Sequence, residues 1–587
     1  MPRLHARSFV ALFSVFAASV GPVLGAGGVE SRFLAAPSAS GALETARFAN
    51  LRAHYPGTPG DYAFAQYMRD RLSAAGFHAT IESYRGPIDT PAVLSLALID
   101  DGGNVTRRFD LREGPVSGDP DGTRGDAGVP FNYGSGSADV RAPLIAVGRG
   151  LSNDYAALAA RHTSVRGRIA LVRYGAEFRG LLAARAQRNG AAGVIFYSDP
   201  HEDRGRPETS VQRGTVGEDV LRIPTLPVTY RNARLLLAQA ARGGRAELDV
   251  RIDRRIGTMW NTVGILNGVR GEPIVLGGHR DAWVYGVTDN GSGIATLLEV
   301  ARAFGSLARA GWRPQRTIVI VGFDAEEIGE LGSRAFVRAH RDDIVDRAIA
   351  YLNCDEDVTG PHFGDDAAAA IGGIVTRAAR DLGVADVPSV PPIPGGGSDH
   401  ESFLFAPGPG VPTAQIGFEG HLPTYHSAYD DLHFALALDP GFALHRRAAQ
   451  VLGLIALRLS ETPHPYRFTP YVDQMRDAQA KLLTDPAVMA LNTDPAVFGD
   501  LDAAIAHFSA AATDFDSAPA RHPLSAAIAA TQAVDRTLYG ATGYGGVAFP
   551  AIRAALASGN AGDVGRAAAA ASRALDHAAD LISPETS

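Results

Sequence analysis

The sequence predicts an α/β protein in which a mostly parallel sheet is flanked by helices, carries a strand-rich insert and is followed by a helical C-terminal segment. Three observations lead there. Between about residues 255 and 458, short apolar runs alternate with helical stretches, the pattern of a buried parallel sheet. From about 87 to 254 the texture is strand-rich with frequent glycine and proline. Past about 460 the chain is alanine-rich at helical spacing.

At 587 residues the chain is too long for a single core. Hydrophobic content of 46% and charged content of 20% fit an ordinary globular protein. The net charge of -8 argues against nucleic acid or an anionic membrane surface as a partner. The single cysteine, Cys354, excludes an internal disulfide and any multi-cysteine zinc site. A metal here must be held by histidine and carboxylate.

Taken in order, Arg3 and Arg7 precede the apolar stretch Phe9 to Val20, and Val23-Leu24-Gly25-Ala26 offers small residues for cleavage. Residues 1–25 therefore read as a signal peptide, and a secreted or periplasmic protein without a stable membrane span is expected. An uncleaved anchor is the alternative. Residues 30–86 read as helix then strand, with Asp61 to Ala75 helical and Gly76 as the stop. The insert, residues 87–254, contains the apolar runs Ala92 to Ile99, Gly167 to Arg173 and Gly193 to Tyr197. The zone 255–458 contains Pro273 to Leu276, Thr317 to Val321 and Ala348 to Leu352, with a helix from Ile294 to Ala310. Residues 459–583 read as helices, among them Leu501 to Ala511 and Gly565 to Leu581.

In an open parallel sheet, ligands bind beyond the carboxyl ends of the strands. His279, Asp281 and Asp289 follow the first run, and Glu326 and Glu327 follow the second. Asp355 follows the third, and Tyr425-His426 follows Val411 to Phe418. Each alone is weak: a histidine at a strand end is usually a hydrogen-bonded loop residue, and an aspartate there is often an N-cap. Their coincidence on one rim points to a cation, because close carboxylates repel unless one neutralises them.

The stretches HRDAWVYGVTDN, DAEEIGELGS, YLNCD and TYHSAYDDL resemble the motifs of the M28 family of zinc aminopeptidases and carboxypeptidases, in particular its glutamate carboxypeptidase and transferrin receptor branch. Arg173 to Gly180 and Val211 to Gly214 resemble its protease-associated insert, and Tyr544 to Pro550 its helical dimerisation domain. The resemblance implies two zinc ions per chain, with Asp289 bridging, His279 and Asp355 completing one site, and Glu327 and His426 the other. It makes Glu326 the general base and Asp281 a partner holding His279. Tyr425 would donate to the oxyanion. It also implies a homodimer and a short peptide substrate.

For substrate binding the resemblance implies Arg179, Tyr425, Tyr544, Gly397 and Ser398. Thr215 and Gly543 stand where the branch has an asparagine and a lysine. Gly417 to Thr424 lacks the branch's arginine patch for acidic substrates, and Ser398 replaces an asparagine. Ala335 and Arg338 replace acidic calcium ligands. Carboxypeptidase and aminopeptidase polarity both stay open, with the arginine and two tyrosines favouring the former. A non-catalytic, receptor-like binding protein is the alternative from another class. Asn104-Val105-Thr106 and Asn290-Gly291-Ser292 match the glycosylation sequon.

Overall fold

The computed structural model describes residues 26–119, 121–217, 221–490 and 496–583. The expected signal peptide, residues 1–25, lies outside the described residues. Among those described, no helix is long and apolar enough to cross a membrane.

The strands at the metal-bearing end run in the order His362–Ala367, Thr413–Glu419, Ala350–Asn353, Arg270–His279, Arg316–Phe323 and Arg245–Leu266. The middle four are mutually parallel, and the flanking strands are antiparallel. Ile274, Leu276, Ile318, Ile320 and Leu352 are wholly buried with Ile294, Val300 and Phe304 of the helix Gly291–Arg309 in one core. Each such side chain contributes about 1.5–3 kcal/mol on burial. The helix Pro59–Ala74 starts at Thr58, whose hydroxyl accepts from the Asp61 amide, and stops at Gly76, which adopts φ +95.

The insert joins this sheet without a break. His78–Ile99 and Arg245–Leu266 are both 22-residue strands paired antiparallel along their length. At one end Arg245–Leu266 pairs with Arg316–Phe323, and at the other with Ala138–Gly148 of the insert. Ala138–Gly148, Ile169–Arg173, Gly193–Tyr197 and Thr225–Pro227 form the insert's parallel portion. The sequence border near residues 86 and 87 thus falls inside a ribbon, with Gly86 opposite Gly257 and Pro87 opposite Ile256. Among the described residues His78–Ile99 pairs on its other side only near its end, at Ala97–Ile99, so at Pro87 it is an edge strand, where proline is tolerated.

The C-terminal helices include Thr469–Leu483, Ala496–Ser517, Leu524–Leu538 and Ala561–Ile582. The hairpin Tyr539–Thr542 and Gly545–Ala548 interrupts them and carries Tyr544 in its turn.

Candidate metal centre

The parallel strands deliver their carboxyl ends to one rim, and the side chains there converge. His279 Nε2 lies 3.2 Å from Asp289 Oδ1 and 3.0 Å from Asp355 Oδ1. His426 Nε2 lies 3.2 Å from Asp289 Oδ2 and 3.1 Å from Glu327 Oε2. His279, Asp289 and Asp355 make one potential three-donor metal set, and Asp289, Glu327 and His426 a second. One carboxylate, Asp289, therefore offers an oxygen to each.

The other ring nitrogens decide what these contacts mean. His279 Nδ1 donates to the Asp281 carbonyl at 3.0 Å, and His426 Nδ1 donates to the Arg213 carbonyl at 3.2 Å. A carbonyl only accepts, so each Nδ1 carries the proton. Each Nε2 then turns a lone pair toward carboxylate oxygens, an arrangement that repels unless a cation sits between them. Without one, protons take the role. Burial drives the His279 and His426 pKa values down, but Asp355 and Glu326 beside the first and Glu327 beside the second outweigh it and hold both above the ordinary value. Burial raises Asp289, yet the two imidazoles hold it below the usual carboxylate range. Imidazole nitrogen with carboxylate oxygen is a donor set that suits zinc.

Local backbone builds the rest. The Asp430 carboxylate accepts from the Thr288 and Asp289 amides at 2.8 and 2.9 Å, fixing the turn that presents Asp289. Asn290 is the N-cap of Gly291–Arg309 and donates to the carbonyls of His279 and Cys354 at 3.1 and 2.6 Å. Its side chain is buried at 1% exposure, which rules out its sequon for glycosylation. A side chain at Gly278 would collide with the Cys354 carbonyl, at 1.9 Å, so glycine lets the two strand ends close. Arg280, fully buried, pairs with Asp61 and donates to the Trp260 carbonyl at 2.7 Å beneath His279.

Asp281 holds a different partner from the one expected of it. Its carboxylate stands 3.9 Å from His279 Nδ1 and instead accepts from the Glu326 and Glu327 amides at 3.1 and 3.3 Å. The Asp281 main-chain carbonyl, two residues along the same loop, is the group that reaches the imidazole. Asp281 therefore ties the Glu326-Glu327 turn to the His279 loop, and burial pushes its carboxyl up to about 7. Burial, with Asp355 and Glu327 nearby, raises Glu326 well above its ordinary value.

A cleft of about 650 Å³ opens over the two donor sets and includes Arg179, Thr215, Gly397, Ser398, Tyr425 and Tyr544. Arg179 is 3% exposed, its guanidinium lies 4.5 Å over the Tyr174 ring, and its Nη2 is buried without a hydrogen-bond partner. Tyr425 stacks on His426 with ring centroids 3.6 Å apart. Burial and the neighbouring Tyr544 keep its phenol protonated. Thr215 donates to the Glu327 carbonyl at 2.7 Å, so it buttresses a proposed ligand. Gly397 adopts φ +97, and the Ser398 hydroxyl accepts from the Asn353 amide at 3.0 Å. Sequence reasoning missed the supporting roles of Glu113, Arg213, Asp430 and Arg280; Arg213, Asp430 and Arg280 fall inside stretches that drew attention, and Glu113 does not.

Comparison with known proteins finds relatives of both the sheet that bears these residues and the insert. The family model described as "Peptidase family M28" matches residues 261–440, and "PA domain" matches residues 140–236. "Probable glutamate carboxypeptidase LAMP1" from Arabidopsis thaliana is 28% identical over 502 residues, covering 73% of this chain and 73% of that protein. "Aminopeptidase NAALADL1" from Mus musculus is 26% identical over 590 residues, covering 81% and 78%. In fold, the "Peptidase M28 precursor" from Shewanella amazonensis superposes with a TM-score of 0.58 at 19% identity, over 75% of this chain and 97% of that one. Residues 261–440 thus match a peptidase domain of family M28 and residues 140–236 an inserted PA domain, which makes the protein a zinc metallopeptidase.

Proposed function

We propose that this protein is a secreted exopeptidase that uses two zinc ions per chain to hydrolyse a terminal peptide bond of short peptides. The observation that carries this reading is the pair of three-donor sets sharing Asp289, with both histidine Nε2 lone pairs aimed inward. His279 and Asp355 would hold one ion, Glu327 and His426 the other, and Asp289 both. Zinc supplies a Lewis acid that polarises the scissile carbonyl and makes water acidic enough to attack at neutral pH.

The chain's own groups do the remainder. Glu326 is 3.9 Å from His279 Nε2 and has a raised pKa. It takes the proton of the attacking water and returns it to the leaving amine nitrogen, a role worth about 10²–10⁴-fold in rate. Asp281 sets the direction of Glu326 through the amide it holds. The Tyr425 hydroxyl, kept protonated, donates to the oxygen on which charge develops. Arg179 takes a terminal carboxylate, since its buried Nη2 has no partner in the protein. Tyr544 stands beside it on the C-terminal hairpin, and Gly397 lies against the Tyr544 ring, so close that a Cβ there would meet it at 2.5 Å, with Ser398 next along the chain. This set favours carboxypeptidase polarity.

A second reading, an aminopeptidase, is favoured by the rest of the cleft wall. Glu356, Asp366, Glu401 and Glu419 line it and form no ion pair within 4.0 Å among the described residues; burial raises Glu356, Asp366 and Glu419, so an α-ammonium group arriving there would favour their charged forms. Digestion of a mixed peptide library by the zinc-loaded protein, read by mass spectrometry, decides between them. Loss of C-terminal residues supports the first reading, loss of N-terminal residues the second, and no cleavage refutes both. The helical domain supports a homodimer, which sizing of the protein in solution tests.

A further inference from the structure

The two donor sets are not supported alike. The ring of His279 is oriented from within its own loop, by the carbonyl of Asp281. The ring of His426 is oriented from the insert, by the carbonyl of Arg213 at 3.2 Å. The contact is reciprocal, because the Arg213 amide donates to the His426 carbonyl at 3.1 Å. His426 adopts φ +59, a left-handed conformation that a non-glycine residue keeps only when its surroundings impose it. The insert segment at Arg213 is what grips it.

That segment is fastened by a buried charge. Glu113, also in the insert, pairs with Arg213 at 2.7 Å, and their side chains are 1% and 3% exposed. One Glu113 oxygen accepts from the Val211 amide at 2.7 Å, and the other accepts from the Ala428 amide at 3.0 Å as well as from Arg213. Arg213 Nη2 donates to the Ala127 carbonyl at 3.2 Å. A buried ion pair persists only when its remaining donors and acceptors are met, and here they are met by the two stretches that must stay in register, 211–213 and 426–428. Glu113 thus joins the segment that orients His426 to the loop that carries it.

We infer that Glu113 is a positioning residue for the His426 half of the metal centre, so that one metal position depends on the docking of the insert and the other does not. The inference rests on the two-zinc reading above. Removing the Glu113 charge frees Arg213 and Ala428, lets the imidazole swing, and weakens one position while His279 and Asp355 keep theirs. Groups that orient a ligating histidine typically change metal affinity by about 10–100-fold.

The test is a zinc titration of the metal-free, full-length protein, following bound zinc by elemental analysis, for wild type and Glu113→Gln. Cobalt substitution gives a second readout, because the visible bands of the two positions respond separately when one changes geometry. Wild type should bind two ions, and the variant should bind the first with unchanged affinity and the second at least about tenfold more weakly. Two ions bound at wild-type affinity by the variant would overturn the inference and leave the dinuclear reading intact. Equal weakening of both positions would also overturn it, since that is what a general loosening of the fold produces. Wild type that binds a single ion would refute the dinuclear reading and this inference together. Should Glu113→Gln fail to fold, Glu113→Asp, which keeps the charge and withdraws it by one methylene, is titrated the same way and should show the same selective loss to a smaller degree.

Discussion

Truncation of Arg179 is the perturbation that most directly tests the polarity of the cleft. The guanidinium is 3% exposed and leans on Tyr174, and one of its nitrogens is buried without a partner. A carboxylate arriving there gains charge-assisted hydrogen bonds, each contributing about 1.5–3 kcal/mol. At about 1.4 kcal/mol per factor of ten, one such bond amounts to roughly ten- to a hundredfold in kcat/KM. The assay compares matched peptides with a free or an amidated C-terminus. Wild type should prefer the free acid by that factor, and Arg179→Ala should bring the ratio close to one. Gly214→Ala offers an independent route to the same phenotype. A Cβ at that position would lie 1.7 Å from Arg179 Nη1, so the guanidinium must move while its charge stays. A wild-type ratio near one, or a ratio that survives Arg179→Ala, would refute the assignment of Arg179 to a terminal carboxylate.

Three further outcomes are expected. Glu326→Gln should lower kcat by about 10²–10⁴-fold while zinc content, measured after dialysis, stays at the wild-type level. Asp289→Ala should lose bound zinc as well as activity, and a variant that still holds two ions would refute the shared role. The metal-free protein should lose thermal stability between pH 4 and pH 8, as followed by its melting temperature. Asp281 is held up to about 7 against an ordinary 3.8, so the native state binds a proton that the unfolded chain has released, and stability falls across that interval. His279 and His426, also raised, contribute stability that is complete below about 6.5 and is lost as the pH climbs through their folded values. Zinc takes the place of these protons, so the loaded protein should show a flatter profile.

Much of the fold was legible because its signals are local. The runs at Pro273, Thr317 and Ala348 carry enough apolar side chains to mark buried strands, and they appear as Arg270–His279, Arg316–Phe323 and Ala350–Asn353. Gly193 to Tyr197 is a strand with those same ends. The long ribbon was not legible. Pro87 and Pro91 read as turn residues, and nothing local says that both sit on a strand whose outer side lacks a partner. Its continuity with the insert depends on the pairing of residues more than 100 positions apart, such as Ile99 with Arg245 and Ala138 with Val250, which periodicity does not encode.

The candidate site divides along the same line. His279, Asp289, Glu326, Glu327, Asp355 and His426 act through side chains placed at strand ends, so residue type and position sufficed to bring them under consideration. Their supports act largely through the main chain. The Arg213 and Asp281 carbonyls orient the imidazoles, and any residue at those positions would present the same oxygen. The Asp281 side chain shows how this misleads. An aspartate near a histidine suggests a carboxylate–imidazole contact, but the loop geometry puts its carbonyl closer and leaves the carboxylate to bind two amides of a neighbouring strand end. Glu113 is harder still, since its partners at 211, 213 and 428 lie on two segments far from it in sequence. A buried glutamate in a strand-rich insert looks like a packing anomaly until the loop at His426 is brought against it. What its burial then explains is why an insert with no metal-binding cluster of its own among the described residues is built into the wall of the metal centre.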